Sequence, residues 1–599
     1  MQRKKTPNKK EDKNGFFLEI ESAILNNPKI SKLELSKLKV RLCSRFGLRK
    51  IPSDIEIMLN LSDGALKRIK SALIMKPTRT ASGVAVCAVM TPPSKCPHGK
   101  CLMCPGGLES FFGDVPQSYT GHEPATKRAI RNDYDPYLQV FNRLEQYSLM
   151  GHNFGKVELI IMGGTFPAQP KAFQNQFVAY TLKALNDFSH QFFRKGIFNI
   201  KKFKKFFIFP CEKSDSNRAT ILKAKILALK KPNGEVNLLK EQKRNEKSNI
   251  RCVGLTIETR PDYGFFEHGK EMLKLGCTRI ELGVQTTSDI SLKAMERGHT
   301  VDDSIRSIRE LKDLGFKLNF HIMPGLIGSS KKKDIEMIKE LFKNPNFRPD
   351  MLKIYPCMVT KGTKLYELYL KGKYKPLSTK DACEIITKIY PEIPYYCRIM
   401  RIQRDIPTQN IVAGVDMTNL RQYIFESLKK EGTFSSIKEI RHREAGRIKS
   451  DLPTKLFIEK YNASKGTEFF ISLESIDRKV LYGFCRLRLP YKNLALEYIE
   501  ACEKKSIDPL ARNVYAKNVC DKKIALVREL HVYGTAINIG DFGEVQHKGY
   551  GKQLLEKAEE LAKENATEKI LVISGIGVRE YYKRLGYRKY RTYMVKKLR

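Results

Sequence analysis

The chain of 599 residues has no tryptophan, no apolar run of the roughly 18 residues that a membrane helix needs, and no apolar core behind its charged start MQRKKTPNKKEDKNG. These absences argue against a membrane span and a secretory leader, so a cytoplasmic protein with no membrane partner is expected. Acid is scarce beside base: 65 Asp and Glu stand against 109 Lys and Arg, a formal net charge of +44. An excess of that size favours a polyanionic partner, nucleic acid first, because neutralising phosphates releases condensed counterions. A generally Lys-rich composition gives the same total, so distribution matters. Residues 1–50 hold 14 basic and 5 acidic residues and residues 191–250 hold 16 and 5, while the rest of the excess is spread thinly. Cysteine, at 14, is too sparse for a disulfide scaffold, and the thiols are expected to be reduced.

What is present is enough apolar residue, 41%, for packed cores, and a length that implies several units. Residues 1–75 read as a small basic helical region, from the helical spacing in FFLEIESAIL and IEIMLNLSDGALKRIKSALI. Short apolar runs at 84–90, 157–162, 252–258, 278–284, 317–323, 350–356 and 395–402 then alternate with helical stretches such as 301–314 and 333–343. This is the grammar of parallel strands with crossover helices, and it predicts an α/β fold, an open or partial (β/α)6-type barrel over 76–405. The polar half of residues 191–250 reads as a surface insertion. A linker is expected at 406–450. Over 451–599, strands at 467–475, 479–489 and 523–533, a helix at 550–564, the strand 569–574 and a last short helix predict a separate α+β domain.

Functional groups of such a barrel belong on loops at the carboxyl ends of its strands. There the run VAVCAVMTPPSKCPHGKCLMCPGG places Cys96, Cys101 and Cys104 as C-x4-C-x2-C. Three thiolates from one loop can hold three irons of a 4Fe–4S cluster and leave the fourth open to a small molecule. Zinc is the alternative, with His98 or Cys87 as its fourth ligand. The next strand ends VELIIMGGTF, where Gly163 and Gly164 let bare backbone approach a ligand. An open cluster followed by a glycine pair resembles the radical S-adenosylmethionine superfamily. The resemblance implies that the open iron binds the amino and carboxylate groups of S-adenosylmethionine, whose cleavage yields a 5′-deoxyadenosyl radical. Later strand ends carry Glu258, Glu281, Gln285 and His321, and four polar groups on successive termini suggest a shared pocket.

In the last domain, Gln546-His547-Lys548-Gly549-Tyr550-Gly551 follows a strand and opens a helix, an arrangement suited to a pyrophosphate. With KILVIS and REYYKRLGY after it, this resembles the Gcn5-related acetyltransferases, in which such a loop holds coenzyme A. Tyr581 or Tyr582 is then the candidate beside the acyl group.

Radical and acetyltransferase motifs in one chain resemble the catalytic subunit family of Elongator, which modifies the wobble uridine of tRNA. The resemblance rests on RTASGVAVCAVM, CPHGKCLMCPGG, QSYTGHEPATKRAIR, VELIIMGGTF, TIETRPDY, RIELGVQT, RHREAG, VRELHVYG, QHKGYG and SGIGVREYYKRLGY, and covers about residues 75–599. It implies that a hydrogen atom is taken from the methyl group of acetyl-CoA, that the carbon adds to uridine C5, and that thioester hydrolysis leaves 5-carboxymethyluridine. It further implies that Lys156, Glu529, Leu530, His531, Val532, Tyr550, Gly551, Lys552 and Tyr582 contact acetyl-CoA. The anticodon stem-loop would be the RNA partner, with Lys127, Arg128 and Arg131 on a plausible RNA face and partner subunits not required. A cysteine-rich segment before R-x-R-E, associated with a junction zinc in many archaeal relatives, is missing here; only His442 is kept. Two other readings differ in kind: a protein lysine acetyltransferase with a structural cluster, and a non-catalytic RNA-binding module with zinc.

Overall fold

The computed structural model describes residues 12–27, 30–62, 64–65, 82–209, 216–230, 235–448, 452–503, 523–534 and 549–598, with the single positions 73, 75 and 80. Three helices come first, Lys13–Asn26, Lys32–Arg45 and Asp54–Asn60. Ser31 and Ser53 each cap a helix in a reciprocal box with Glu34 and Glu56. Phe16, Ile20 and Ile24 recur at helical spacing and close with Leu35, Leu38 and Leu42 into a core of their own.

The barrel is built on seven parallel strands: β1 (Ala85–Met90), β2 (Lys156–Met162), β3 (Arg251–Thr259), β4 (Arg279–Gln285), β5 (Lys317–Ile322), β6 (Met351–Ile354) and β7 (Arg398–Ile402). They lie side by side in chain order, so the sheet does not double back. All seven residues of the middle strand β4 are buried, as befits a strand covered on both faces. Segment 406–450 is no extended linker. It carries the helix Leu420–Lys430, where Phe425 meets Tyr390 edge to face at 5.6 Å.

The described residues of the Lys/Phe-rich insert are folded, against the expectation of a solvated loop. Phe192, Phe203 and Phe207 are fully buried, and Phe203 and Phe207 stand one helical turn apart with rings 4.7 Å from each other. The helix Ser216–Lys230 is tied to the barrel by Arg218 to Glu145 at 2.8 Å and by Lys230 to Asp135. In the polar half, Glu241 is buried against Arg244 and Glu246 receives Arg579 at 2.9 Å. The lysines that suggested solvent flank aromatic side chains that face inward.

The second sheet contains β8 (Thr454–Ala463), β9 (Gly466–Ser475), β10 (Leu481–Leu489), β11 (Ile524–Val532), β12 (Lys569–Ile573), β13 (Arg588–Tyr590) and β14 (Tyr593–Lys597). Its order is β8-β9-β10-β11-β12-β14-β13, antiparallel except for the parallel pair β11/β12. Strand β8 and the final hairpin β13/β14 were not foreseen. Both set Lys or Arg beside short apolar runs, which reads as surface until a partner strand is known.

The second sheet rests on the amino ends of the barrel strands. Arg528 Nη2 lies 2.6 Å from Asp350 and 3.0 Å from Glu468, and Arg488 lies 2.6 Å from Asp313 and 3.0 Å from Glu468. Buried charges persist only when paired in this manner. The approach is close enough that a Cβ at Gly575 would stand 2.1 Å from the Val253 carbonyl oxygen.

Candidate active site

Cys96, Cys101 and Cys104 lie on the loop leaving β1 and line one pocket with Gly164, Glu258, Glu281, Gln285 and His321 from the carboxyl ends of the following strands. None is in a disulfide. Cys101 Sγ is 3.0 Å from His98 Nε2 and 3.4 Å from Arg297 Nη1, and Cys104 Sγ accepts the Ser118 N–H at 3.2 Å. Burial pushes the Cys96 and Cys104 thiols up, and neighbouring Cys101 adds to the rise at Cys104. A metal centre would have to take their protons on binding.

The donor set suits a cluster better than a single ion. Zinc holds sulfur at about 2.3 Å and so draws its ligand sulfurs to within about 4 Å of one another. Among the described residues the one acid, thiol or imidazole group whose ligand atoms all lie within 4.8 Å is Glu258, Glu281 and His321, not the cysteines. Cys87 is buried inside β1, paired with Leu159, and does not line the pocket, which removes it as a fourth zinc ligand. The glycines fit a cradle. Gly163 has φ of 123°, and a Cβ there would meet Thr91 Oγ1 at 2.2 Å. Among the pocket residues, His98 Nδ1, Arg260 Nη1 and Arg297 Nε are buried without a partner, polar groups ready for a ligand.

Deeper in the barrel, Glu281 Oε2 lies 2.8 Å from His321 Nε2 and also receives the Lys353 ammonium, while Tyr119 donates to Glu258 at 3.1 Å. Burial, and then the charge of Glu281, raises the Glu258 carboxyl to about 7. Burial opposes ionisation of Glu281 too, but Lys353 and His321 hold it well below the usual carboxylate range. Burial and Lys353 bring the His321 imidazole down to about 4. The pocket thus holds an ionised Glu281, a neutral His321 and a Glu258 that titrates near neutrality. Lys353 supplies the positive charge that a cation would otherwise bring to Glu281.

The second constellation is at the edge of the second sheet. Gly549 takes φ of 84° and caps the helix Tyr550–Glu564. A Cβ on Gly551 would stand 2.9 Å from the Tyr581 hydroxyl and 3.7 Å from Val532 Cγ2, so turn, strand β11 and Tyr581 converge. Burial pushes the Tyr581 phenol up to about 12, so it keeps its proton at neutral pH. Tyr582 instead is 5% exposed, packed in the domain core beside Tyr587. Leu530 packs on that same core. Glu529 and His531 turn the other way, onto Lys317 at 2.7 Å and the Ser82 carbonyl at 3.0 Å. Lys552 is exposed beside Glu556, and Gln546 lies outside the described residues.

Lys156 stands at the amino end of β2, on the floor of the barrel, and does not line the cysteine pocket; burial lowers its ammonium to about 8. On the helix Pro124–Arg131, Lys127 and Arg131 are exposed. Arg128 is not on that outer face: it turns inward and donates to the Ala88 carbonyl at 3.0 Å. Sequence reasoning missed Tyr119, Arg260, Arg297, Lys353, Tyr355, Arg401 and Arg404 in the pocket. For Lys353 the signal was present, the one charge inside the strand MLKI.

Comparison with known proteins agrees with this geometry. The family model of the radical SAM superfamily matches residues 90–341, a radical SAM C-terminal domain matches 349–430, and an ELP3 N-terminal domain matches 16–81. The barrel and its cysteine pocket therefore belong to a radical S-adenosylmethionine protein, here joined to a second α+β sheet. The tRNA uridine(34) acetyltransferase of Methanocaldococcus jannaschii is 43% identical over 96% of this chain and 95% of its own length. Elongator complex protein 3 of Saccharomyces cerevisiae is 36% identical over 95% of this chain and 92% of its own. The solved structure of archaeal Methanocaldococcus infernus Elp3 with an N-terminal deletion has 37% identity and a TM-score of 0.65, covering 87% of this chain and all of that one. The chain belongs to the Elongator complex protein 3 family.

Proposed function

We propose that the protein modifies the wobble uridine, position 34, of tRNA to 5-carboxymethyluridine, using acetyl-CoA, S-adenosylmethionine and a 4Fe–4S cluster on Cys96, Cys101 and Cys104. When bound, the cluster and S-adenosylmethionine would supply the radical chemistry by which the acetyl methyl carbon gives a hydrogen atom to the deoxyadenosyl radical and bonds to uridine C5; C5 would lose its hydrogen as a proton, the odd electron would return to the oxidised cluster, and water would then open the thioester. Gly163 and Gly164 would give S-adenosylmethionine its close approach to backbone, and Arg260, Arg297 and Gln285 would meet its polar groups. Glu258, near its own pKa at neutrality, is the group able to move a proton in the pocket. At the second sheet, the turn Gly549-Tyr550-Gly551 would hold the pyrophosphate and Tyr581, rather than Tyr582, would face the thioester.

The observation that carries this reading is that β11, with Glu529 and His531, lies against the floor of the barrel whose mouth bears the cysteines. A radical must be made and consumed in one enclosed site, and a single chain that joins the two domains supports such an arrangement. Relatives named for tRNA uridine(34) support the substrate. The reading places the reaction in the cytoplasm and requires no partner subunit. No helix of the described residues is long and apolar enough to cross a membrane.

The test incubates reduced, reconstituted protein with tRNA, S-adenosylmethionine and methyl-labelled acetyl-CoA, then examines digested nucleosides by mass spectrometry. Label in a carboxymethylated uridine is expected. Its absence from every uridine overturns the reading.

A further inference from the structure

The cysteine loop runs directly into a hairpin, strands Gly107–Ser110 and Gly113–Val115, and the chain returns to the pocket at Gln117, Ser118 and Tyr119. At its tip Phe111 is 64% exposed. A lone exposed aromatic needs no explanation, but this one stands on a turn fixed by hydrogen bonds and is packed at its base. Ser110 Oγ donates to the Gly113 carbonyl at 2.6 Å and accepts the Phe112 N–H at 3.2 Å, and Glu109 N–H is fixed on Asp114 at 2.8 Å. Phe111 meets Phe112 edge to face at 5.1 Å, and Phe112 in turn meets His122 at 6.0 Å. Gly362 presses so close that a Cβ there would lie 2.1 Å from Phe111 Cβ.

The surroundings are apolar with a cationic rim. Leu108 is 41% exposed on the same hairpin. Ile130, 44% exposed, reaches the hairpin base, where its Cδ1 and Val115 Cγ1 would both touch a Cβ on Gly121. Exposed Lys127 and Arg131 share the helix with Ile130, and exposed Lys361 adjoins Gly362. Against these stand Glu109 and Asp114, the latter engaged within the hairpin. An exposed aromatic ring on a hydrogen-bonded turn, with Lys and Arg on the neighbouring elements, is an arrangement by which proteins hold unpaired nucleotide bases, the ring offering a π-face to a base and the cations meeting the phosphates. A duplex, whose bases are already stacked, has no face to offer.

We propose that Phe111 is a stacking platform for an unpaired base of the RNA loop that carries the target uridine, holding the loop at the mouth of the cysteine pocket. This rests on the tRNA reading above and specifies how the single-stranded part of that RNA is gripped.

The absence of tryptophan from the chain makes the test direct. Phe111→Trp introduces the sole indole, whose emission reports position 111 alone. An anticodon stem-loop RNA should quench it saturably, and a blunt duplex of the same stem should not. Phe111→Ala should weaken stem-loop binding about 10-fold, read by anisotropy of labelled RNA, while Phe111→Tyr restores it. Melting temperature and cluster absorption should match the parent protein in all three variants. Unchanged emission at saturating stem-loop, equal quenching by duplex, or no stem-loop binding overturns the platform. Labelled uridine in the parent protein, assayed separately, would then show that the tRNA reading survives without it.

Discussion

Lys317 and Glu529 meet at 2.7 Å across the boundary between the barrel and the second sheet, and Glu529 is shared with Arg486 at 2.9 Å. Burial works against the Glu529 charge, yet the two cations hold its carboxyl down at about 2. This pair is the edge of a buried network in which Asp350 faces both Arg528 and Arg486. The two sheets are thus held by side chains that cannot be separated without stranding charge in a dry interface.

The members of that network should differ in cost. Asp350→Ala leaves Arg528 and Arg486 without their shared carboxylate and should destabilise by about 3–5 kcal/mol in urea unfolding. Lys317→Met leaves Glu529 still paired with Arg486 and should cost about 1 kcal/mol. Equal losses would show that the interface is held by packing and not by the distribution of charge.

Cys101→Ala should abolish the broad visible absorption of an iron–sulfur cluster after anaerobic reconstitution while leaving tRNA affinity almost unchanged. The thiol is 6% exposed and contacts His98 and Arg297, and Arg297 keeps the Gly283 carbonyl at 3.3 Å when the thiol is removed. A parallel loss of tRNA binding would mean that the cysteine loop shapes the RNA surface itself.

The seven barrel strands were legible because each is a short apolar run ended by polar residues, and the sheet keeps chain order, so no topology had to be guessed. Glu258 and His321 were legible for the same reason, since a polar group at a strand end stands out against the apolar run, and Glu281 stands out inside its strand. Arg404 was not, because it follows its strand in a loop where arginine is ordinary, and only the folded chain brings it to the Ser118 carbonyl. The insert misled because its lysines, which dominate the composition, occupy the outer face of helices whose phenylalanines are buried. Arg128 misled in the opposite sense: its neighbours Lys127 and Arg131 are exposed, and nothing local distinguishes the one arginine that reaches back to β1.

Adjacent Tyr581 and Tyr582 should separate cleanly by substitution. Tyr581 has its hydroxyl beside the Gly551 turn, and as a proton donor it should contribute about 10²-fold or more to turnover, so Tyr581→Phe should lower kcat by that factor. Tyr582→Phe should leave kcat within about 2-fold, because its ring packs in the core; Tyr582→Ala should instead cost about 3–5 kcal/mol of stability. A larger kinetic effect at Tyr582→Phe than at Tyr581→Phe would reverse the assignment.

If Lys156 contacts acetyl-CoA, binding of that ligand should depend on pH. Burial alone brings its ammonium down to about 8 from 10.5, so the folded protein releases this proton before the unfolded chain does. Between about pH 8 and pH 10.5 the unfolded chain binds more protons at this site, and stability should rise with pH across that window. Ligand binding runs the other way. If the charged ammonium meets the thioester or a phosphate oxygen, the bound state favours the protonated form, and affinity should fall as pH rises through about 8. Calorimetric titration with acetyl-CoA at pH 7 and pH 9 checks this: the parent protein should lose affinity several-fold, Lys156→Arg should lose almost none because its guanidinium stays charged, and Lys156→Met should bind weakly at both. A pH dependence retained in Lys156→Met would place the titrating group elsewhere on the barrel floor and remove Lys156 from the acetyl-CoA site.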